Sequence, residues 1–199
     1  VSVDALTGDI LTSLDGIKHV EKHAHKALRK KMPTPIFLLG KKSYVEYKPR
    51  GVVLVISPWN FPFQLSMIPV ISAIAGGNTV ILKPSEMTPL VGRAIEGIFE
   101  EVGFPPNVIQ ILHGGKEMGA ALVKGKPDYI FFTGSVRTGK IIQEQAAKEL
   151  IPTTLELGGK DPMIVFADAP IERAIGGAIW GAFNNAGQVC MSVERLYVQ

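Results

Sequence analysis

Between residues 52 and 157 the chain alternates between short runs of β-branched and apolar residues and longer amphipathic stretches, and few folds accommodate that rhythm. Residues 52–56, 79–82, 108–112, 129–132 and 153–157 read as strands, with 63–75, 90–102, 118–124 and 138–150 as the helices between them. The strand runs are mostly apolar or β-branched on both alternating positions, so they call for cover on both faces. Strands of that kind separated by helices form a parallel, doubly wound sheet of the Rossmann-like α/β class, in which ligands bind beyond the carboxyl ends of the strands.

The flanks behave differently. Residues 9–31 carry a polar helical pattern that stops at Pro33-Thr34-Pro35, where two prolines withdraw backbone donors. Residues 36–39 and 43–48 read as extended pieces joined at Gly40, a two-sided ribbon closed by Pro49-Arg50-Gly51. Beyond the sheet, 163–166 and 171–185 begin a further strand and helix. The expected organisation is a helical part over 1–32, a ribbon over 33–49, the sheet domain over 50–157 and the beginning of a second α/β unit over 158–199.

Composition narrows the function classes. With 46% hydrophobic and 20% charged residues, the 199-residue chain can bury a core and is not disordered. Asn60 and Lys83 interrupt the two most apolar stretches, so no membrane span is expected. The net charge of +3 (21 basic minus 18 acidic) is local, because Lys18, Lys22, Lys26, Arg29, Lys30 and Lys31 recur at helical spacing. That is a solvated helix face without interleaved aromatics, and no nucleic-acid partner is expected from it. One cysteine forms no internal disulfide, and no Cys/His cluster has zinc spacing, so no metal is expected and a reducing, cytoplasmic setting is. The chain begins at Val1 without an export segment, and an absent N-terminal portion is expected.

Six places can carry chemistry. Ser57-Pro58-Trp59-Asn60 follows the first strand, and Asn60 either caps the next helix or donates to a developing oxyanion. Lys83-Pro84-Ser85-Glu86 follows the second strand. Its carboxylate and ammonium suit an adenosine ribose or phosphate, or else form a solvated pair beside a Ser85 cap. Gly114-Gly115 follows the third strand. Phe132-Thr133-Gly134-Ser135 leads into a helix whose N-terminus attracts a pyrophosphate, although this is not the GxGxxG pattern and is equally an ordinary strand-to-helix turn. Glu156-Leu157-Gly158-Gly159-Lys160 places a carboxylate beside glycines, and general-base work there calls for desolvation to raise its pKa. Cys190, in Gly187-Gln188-Val189-Cys190, is either a buried structural thiol or a nucleophile.

Together and in this order, these motifs resemble the aldehyde dehydrogenase superfamily, and the 34 residues from Glu156 to Cys190 match its spacing of base and nucleophile. The resemblance runs from about residue 9 to the end. It implies that the Cys190 thiolate attacks an aldehyde carbonyl, that Asn60 and the Cys190 N–H hold the resulting oxyanion, and that hydride passes to a nicotinamide. Glu156 then activates the water that hydrolyses the thioester. A free thiol is largely protonated at neutral pH, so this scheme needs the fold, or Glu156 through water, to deprotonate it. Ser57, Trp59, Lys83, Ser85, Glu86, Gly115, Phe132, Gly134, Ser135, Leu157 and Gly158 are implied cofactor contacts. The cofactor is NAD, with NADP possible, since the Glu86 carboxylate repels a 2′-phosphate while Lys83 and Ser85 admit one. Glu156 speaks against relatives that transfer the acyl group to coenzyme A. The alternative is a non-catalytic nucleotide-binding piece. Family members are longer, and residues 35–48 resemble half of their oligomerisation ribbon, implying a homodimer or homotetramer of the full-length enzyme.

Overall fold

The computed structural model describes residues 2–31, 34–38 and 40–199. Five parallel strands form the central sheet: β3 (Val52–Ile56), β4 (Thr79–Lys83), β5 (Ile109–Ile111), β6 (Tyr129–Gly134) and β7 (Thr153–Leu157). Two short strands precede them, β1 (Arg29–Lys31) and β2 (Tyr44–Glu46). The sheet order is β5-β4-β3-β6-β7, so the chain starts at the middle, runs to one edge, and returns to build the other. The reversal falls between β3 and β6, and in open α/β sheets the carboxyl ends beside such a reversal are where ligands bind.

Both faces are covered, as the apolar strands require. On one, Val53, Val55, Val80 and Leu82 pack against Met67 and Val70 of α3 (Gln64–Ala75) and Ile95 and Phe99 of α4 (Pro89–Val102). On the other, Leu54, Ile56, Ile130 and Phe132 meet Val123 of α5 (Lys116–Lys124) and Ile142 and Ala146 of α6 (Val136–Lys148). Leu54, Val55, Val80, Leu82 and Ile130 are at most 1% exposed, which accounts for the absence of polar alternation in the strand sequences.

The N-terminal part differs from expectation in two respects. A short turn, α1 (Ser2–Asp4), leads into a π-helical stretch, Ala5–Leu11, and then α2 (Thr12–Ala27). The helix thus ends before Arg29, and three of the six basic residues leave it for β1, which pairs antiparallel with β2. The piece expected to be extended over 36–39 is a 3₁₀ turn at Ile36–Leu38, started at Pro35, whose carbonyl accepts the Leu38 N–H at 2.9 Å. A proline with its φ fixed near the helical value favours such a turn over a strand. The expected ribbon also includes Pro33 and Leu39, which, like Val1 and Met32, lie outside the described residues.

After β7, the chain forms β8 (Asp161–Val165), α7 (Ile171–Phe183) and β9 (Val193–Val198), with β8 and β9 parallel. This unit leaves apolar surface open. Ile164, Phe166, Ile175, Ile179, Trp180, Phe183 and Val198 are all exposed, and α7 buries none of its residues. No helix among the described residues is long and apolar enough to cross a membrane.

Candidate active site

The Cys190 turn is built from unusual backbone. Asn185, Ala186 and Gly187 have φ of 49°, 58° and 76°, three successive residues in the left-handed region. Asparagine and glycine accept that region at little cost, whereas the alanine between them does not. Strain of this kind persists where surrounding contacts over-determine it. Here the contacts come from the loop after β3. The Asn185 Nδ2 donates to the Asn60 carbonyl at 3.0 Å, and the Asn60 Nδ2 donates to the Gln188 carbonyl at 2.9 Å. Within the turn, the Ser192 hydroxyl donates to the Gly187 carbonyl at 3.1 Å. Asn60 and the Cys190 loop, 130 residues apart in sequence, are thereby cross-linked (190 minus 60).

Cys190 is an exposed free thiol, which removes the reading of it as a buried structural residue. The second hydrogen of the Asn60 amide is left over after its bond to Gln188, so the side chain can donate to another acceptor. Helix capping is not its task. The first amides of α3 are capped from elsewhere: Asp9 accepts the N–H of Phe63 at 3.2 Å and that of Gln64 at 2.5 Å.

Lys83 and Glu86 are not a solvated pair. The Lys83 side chain is only 5% exposed, and its Nζ donates to the Pro84 carbonyl at 3.1 Å and to Glu86 Oε2 at 3.0 Å. Glu86 itself is half exposed. Its carboxyl is held below the ordinary carboxylate range by its own backbone N–H and by the Lys83 ammonium. Ser85 is buried, and its hydroxyl accepts the Met87 N–H at 3.2 Å, so it shapes the turn before α4 rather than capping the helix.

At the carboxyl ends of the central strands, Ile56 of β3 lies level with Lys83 of β4 and Phe132 of β6. The buried hydroxyls of Ser57, just after β3, and Thr133, on β6, have no hydrogen-bond partner. A buried hydroxyl without a partner costs about 1–3 kcal/mol, so two of them beside a strand crossover suit a polar ligand that supplies the missing bonds. Ser135 caps α6, its Oγ accepting the Thr138 N–H at 3.2 Å, and Gly139 admits Leu157, since a Cβ there would meet Leu157 at 2.7 Å. Gly115 precedes α5 as its N-cap. Trp59 is 46% exposed. These residues fit a dinucleotide laid across the carboxyl ends of β3, β4 and β6.

Two expected site residues sit otherwise than the chemistry called for. The Phe132 side chain is 4% exposed, a core residue beneath the sheet, so only its backbone remains for ligand contact. Glu156, level with Thr133 at the end of β7, is exposed rather than buried. Gly158, next to it, is exposed, and Leu157 is half-buried against the α5–α6 core.

Asp9 is the site-proximal residue that the sequence did not announce. Its only signal is a single acid within the otherwise uncharged stretch of residues 5–11. His113 is the other. Its Nε2 lies 3.1 Å from Glu96 Oε2, joining the end of β5 to α4 beside Pro84.

The arrangement defines a Rossmann-like α/β protein carrying an exposed cysteine on a braced turn. Comparison with known proteins agrees. The profile of the Aldehyde dehydrogenase family matches residues 2–199. A 4,4'-diapolycopene aldehyde oxidase of Methylomonas sp is 45% identical over all of this chain and 38% of its own length. A 4,4'-diaponeurosporen-aldehyde dehydrogenase of Staphylococcus aureus is 43% identical over 98% of this chain and 43% of its own. The structure titled as the substrate-bound state of Staphylococcus aureus AldH superposes with a TM-score of 0.94 at 42% identity, over 99% of this chain and 43% of that one. An NAD+ complex of a Bacillus cereus aldehyde dehydrogenase gives 0.91 at 38% identity, over 98% of this chain and 40% of that one. The chain belongs to the aldehyde dehydrogenase family. It spans about two fifths of the length of these relatives.

Proposed function

We propose that the protein containing this chain oxidises an aldehyde to a carboxylic acid with NAD, or less readily NADP, through a covalent bond to Cys190. The observation that carries the reading is the exposed thiol on a turn whose neighbouring carbonyl, that of Gln188, is held by the Asn60 amide. The Cys190 thiolate, its proton given up to water, attacks the carbonyl carbon, and the new C–S bond leaves a tetrahedral oxyanion. Asn60 donates its free amide hydrogen to that oxygen, already oriented by its bond to Gln188, so little reorganisation is needed as charge develops. The bound nicotinamide supplies the acceptor for the hydride that leaves this carbon. The thioester then remaining on Cys190 is cleaved by water. Glu156 takes the proton, the acid departs, and the thiol is restored.

Lys83, Ser85 and Glu86 would hold the adenosine ribose, while Ser57, Trp59, Gly115, the Phe132 backbone, Gly134, Ser135, Leu157 and Gly158 shape the remainder. Residues 50–157 act in this reading as the nucleotide-binding domain, 33–49 as part of an oligomerisation ribbon in a homodimer or homotetramer, 1–32 as helical support and 158–199 as the beginning of the catalytic domain. Several relatives are named for apolar aldehydes, such as the Staphylococcus aureus protein above. An apolar aldehyde is the proposed substrate class, and the proposed setting is the cytoplasm.

The test is replacement of Cys190 by Ala in the intact gene product. NAD reduction in the presence of aldehyde should disappear while NAD binding persists, and a Cys190→Ala protein retaining its rate refutes the assignment. The exposed apolar surface of α7 and β9, together with the exposed Glu156, favours a second reading for the 199 residues taken alone: nucleotide binding without turnover. Calorimetry with NAD beside a dehydrogenase assay on that chain separates the two.

A further inference from the structure

We propose that Asp9 is a positioning residue for carbonyl attack: by gripping the backbone of Phe63 and Gln64, its carboxylate fixes the loop from which Asn60 reaches the Cys190 turn. The inference rests on the reading of Asn60 as oxyanion donor.

Asp9 is 7% exposed, and each of its oxygens accepts from one of two consecutive amides, Gln64 at 2.5 Å and Phe63 at 3.2 Å. Phe63 and Gln64 are the N-cap and first residue of α3, which has no local side-chain cap. The amides therefore point at a carboxylate from 54 and 55 residues upstream, at the end of the helix that favours negative charge.

The carboxylate is itself braced. Its residue sits in the π-helical stretch, where the Asp9 carbonyl accepts the buried Ser13 hydroxyl at 2.5 Å. The preceding Gly8 lets this stretch lie against the same loop, because a Cβ there would stand 2.9 Å from the Phe61 ring. Only Phe61 and Pro62 separate Asn60 from the gripped amides, and Pro62 has a fixed φ.

Burial pushes the Asp9 carboxyl above its ordinary pKa of 3.8 despite both hydrogen bonds, so keeping a charge here is costly. Capping alone does not call for it. A serine or threonine at position 63 would cap α3 locally and leave the loop untethered. An asparagine at position 9 would accept from one amide and turn its own NH₂ toward the other. A carboxylate is the side chain that holds both.

The experiment is a double-mutant cycle in the intact gene product with Asp9→Ala, Asn60→Ala and the pair, reading the single-turnover rate of NAD reduction at saturating aldehyde. Asp9→Ala should slow that step by about tenfold or more, as misplacement of a donor by an ångström does, with the NAD Kd unchanged within about twofold. In the Asn60→Ala background, the same substitution should cost less than about twofold, because its effect passes through Asn60. Asp9→Asn, which keeps the volume and one acceptor, should fall between, and it serves if Asp9→Ala does not fold. Equal losses in both backgrounds, or a lowered Tm with an unchanged rate, overturn the role given to Asp9. A full rate for Asn60→Ala alone overturns the oxyanion reading, and the Asp9 proposal with it.

Discussion

Asn185 donates its side-chain amide to the Asn60 backbone carbonyl at 3.0 Å, while the Asn60 side chain donates to the Gln188 carbonyl three residues further on, at 2.9 Å. Each loop thus orients the other, and the strained φ values of residues 185–187 are the geometric condition for it. Replacing Asn185 by Ala removes one bond and leaves a second alanine at positive φ. Replacing it by Gly removes the same bond but relieves the backbone. Both variants should lower kcat more than they raise the aldehyde KM. The Ala variant should be less stable than the Gly variant by about 1 kcal/mol, which urea melts measure.

In the proposed reading, Glu86 is the group that would exclude an extra phosphate from the ribose site. Its carboxyl, kept ionised by its own N–H and by the buried Lys83 ammonium, would lie against a 2′-phosphate of like charge. Glu86→Gln should shift the ratio of kcat/KM for NADP over NAD upward by about tenfold, or about 1.4 kcal/mol. Steady-state kinetics with the two cofactors decides it, and an unchanged ratio removes Glu86 from the selectivity.

Acid should loosen the packing of β5 against α4. The Glu96 carboxyl is held below its ordinary 4.5 chiefly by the hydrogen bond with His113, then by Arg93. A carboxyl whose folded pKa is depressed contributes stability that is present above 4.5 and is lost as the pH falls through the lower folded value. Both partners are about 30% exposed, so the contribution is about 0.5 kcal/mol or less. His113→Gln should flatten the acid limb of stability below pH 4.5, measured by urea unfolding across a pH series.

How much of this could be read beforehand depends on range. The five strands were legible because burial on both faces demands runs such as Val52–Ile56, and β3 and β7 occupy the expected residues. The end of α2 was not legible. Lys26, Arg29 and Lys30 keep helical spacing, yet the helix stops at Ala27 because the following residues pair with β2, a contact no local pattern declares. Cys190 and Asn60 were legible as motif members. The Asp9 grip was not, since both of its partners lie more than fifty residues away. The turn at 185–187 was half legible: Asn185 and Gly187 suit left-handed backbone, and Ala186 gives no sign of it.

The strand order carries a consequence for how the proposed cofactor site comes into being. β3 pairs with β4 across 27 residues and β6 with β7 across about two dozen, whereas Val53 meets Tyr129 across 76. Closing that longest loop costs the most chain entropy. The junction of β3 with β6 is thus the seam expected to zip last, joining two half-sheets each made from near neighbours. The place where the dinucleotide would lie does not exist until that seam shuts, so a ligand bound there acts on the final act of folding and would bear most on the rate at which the two halves come apart again.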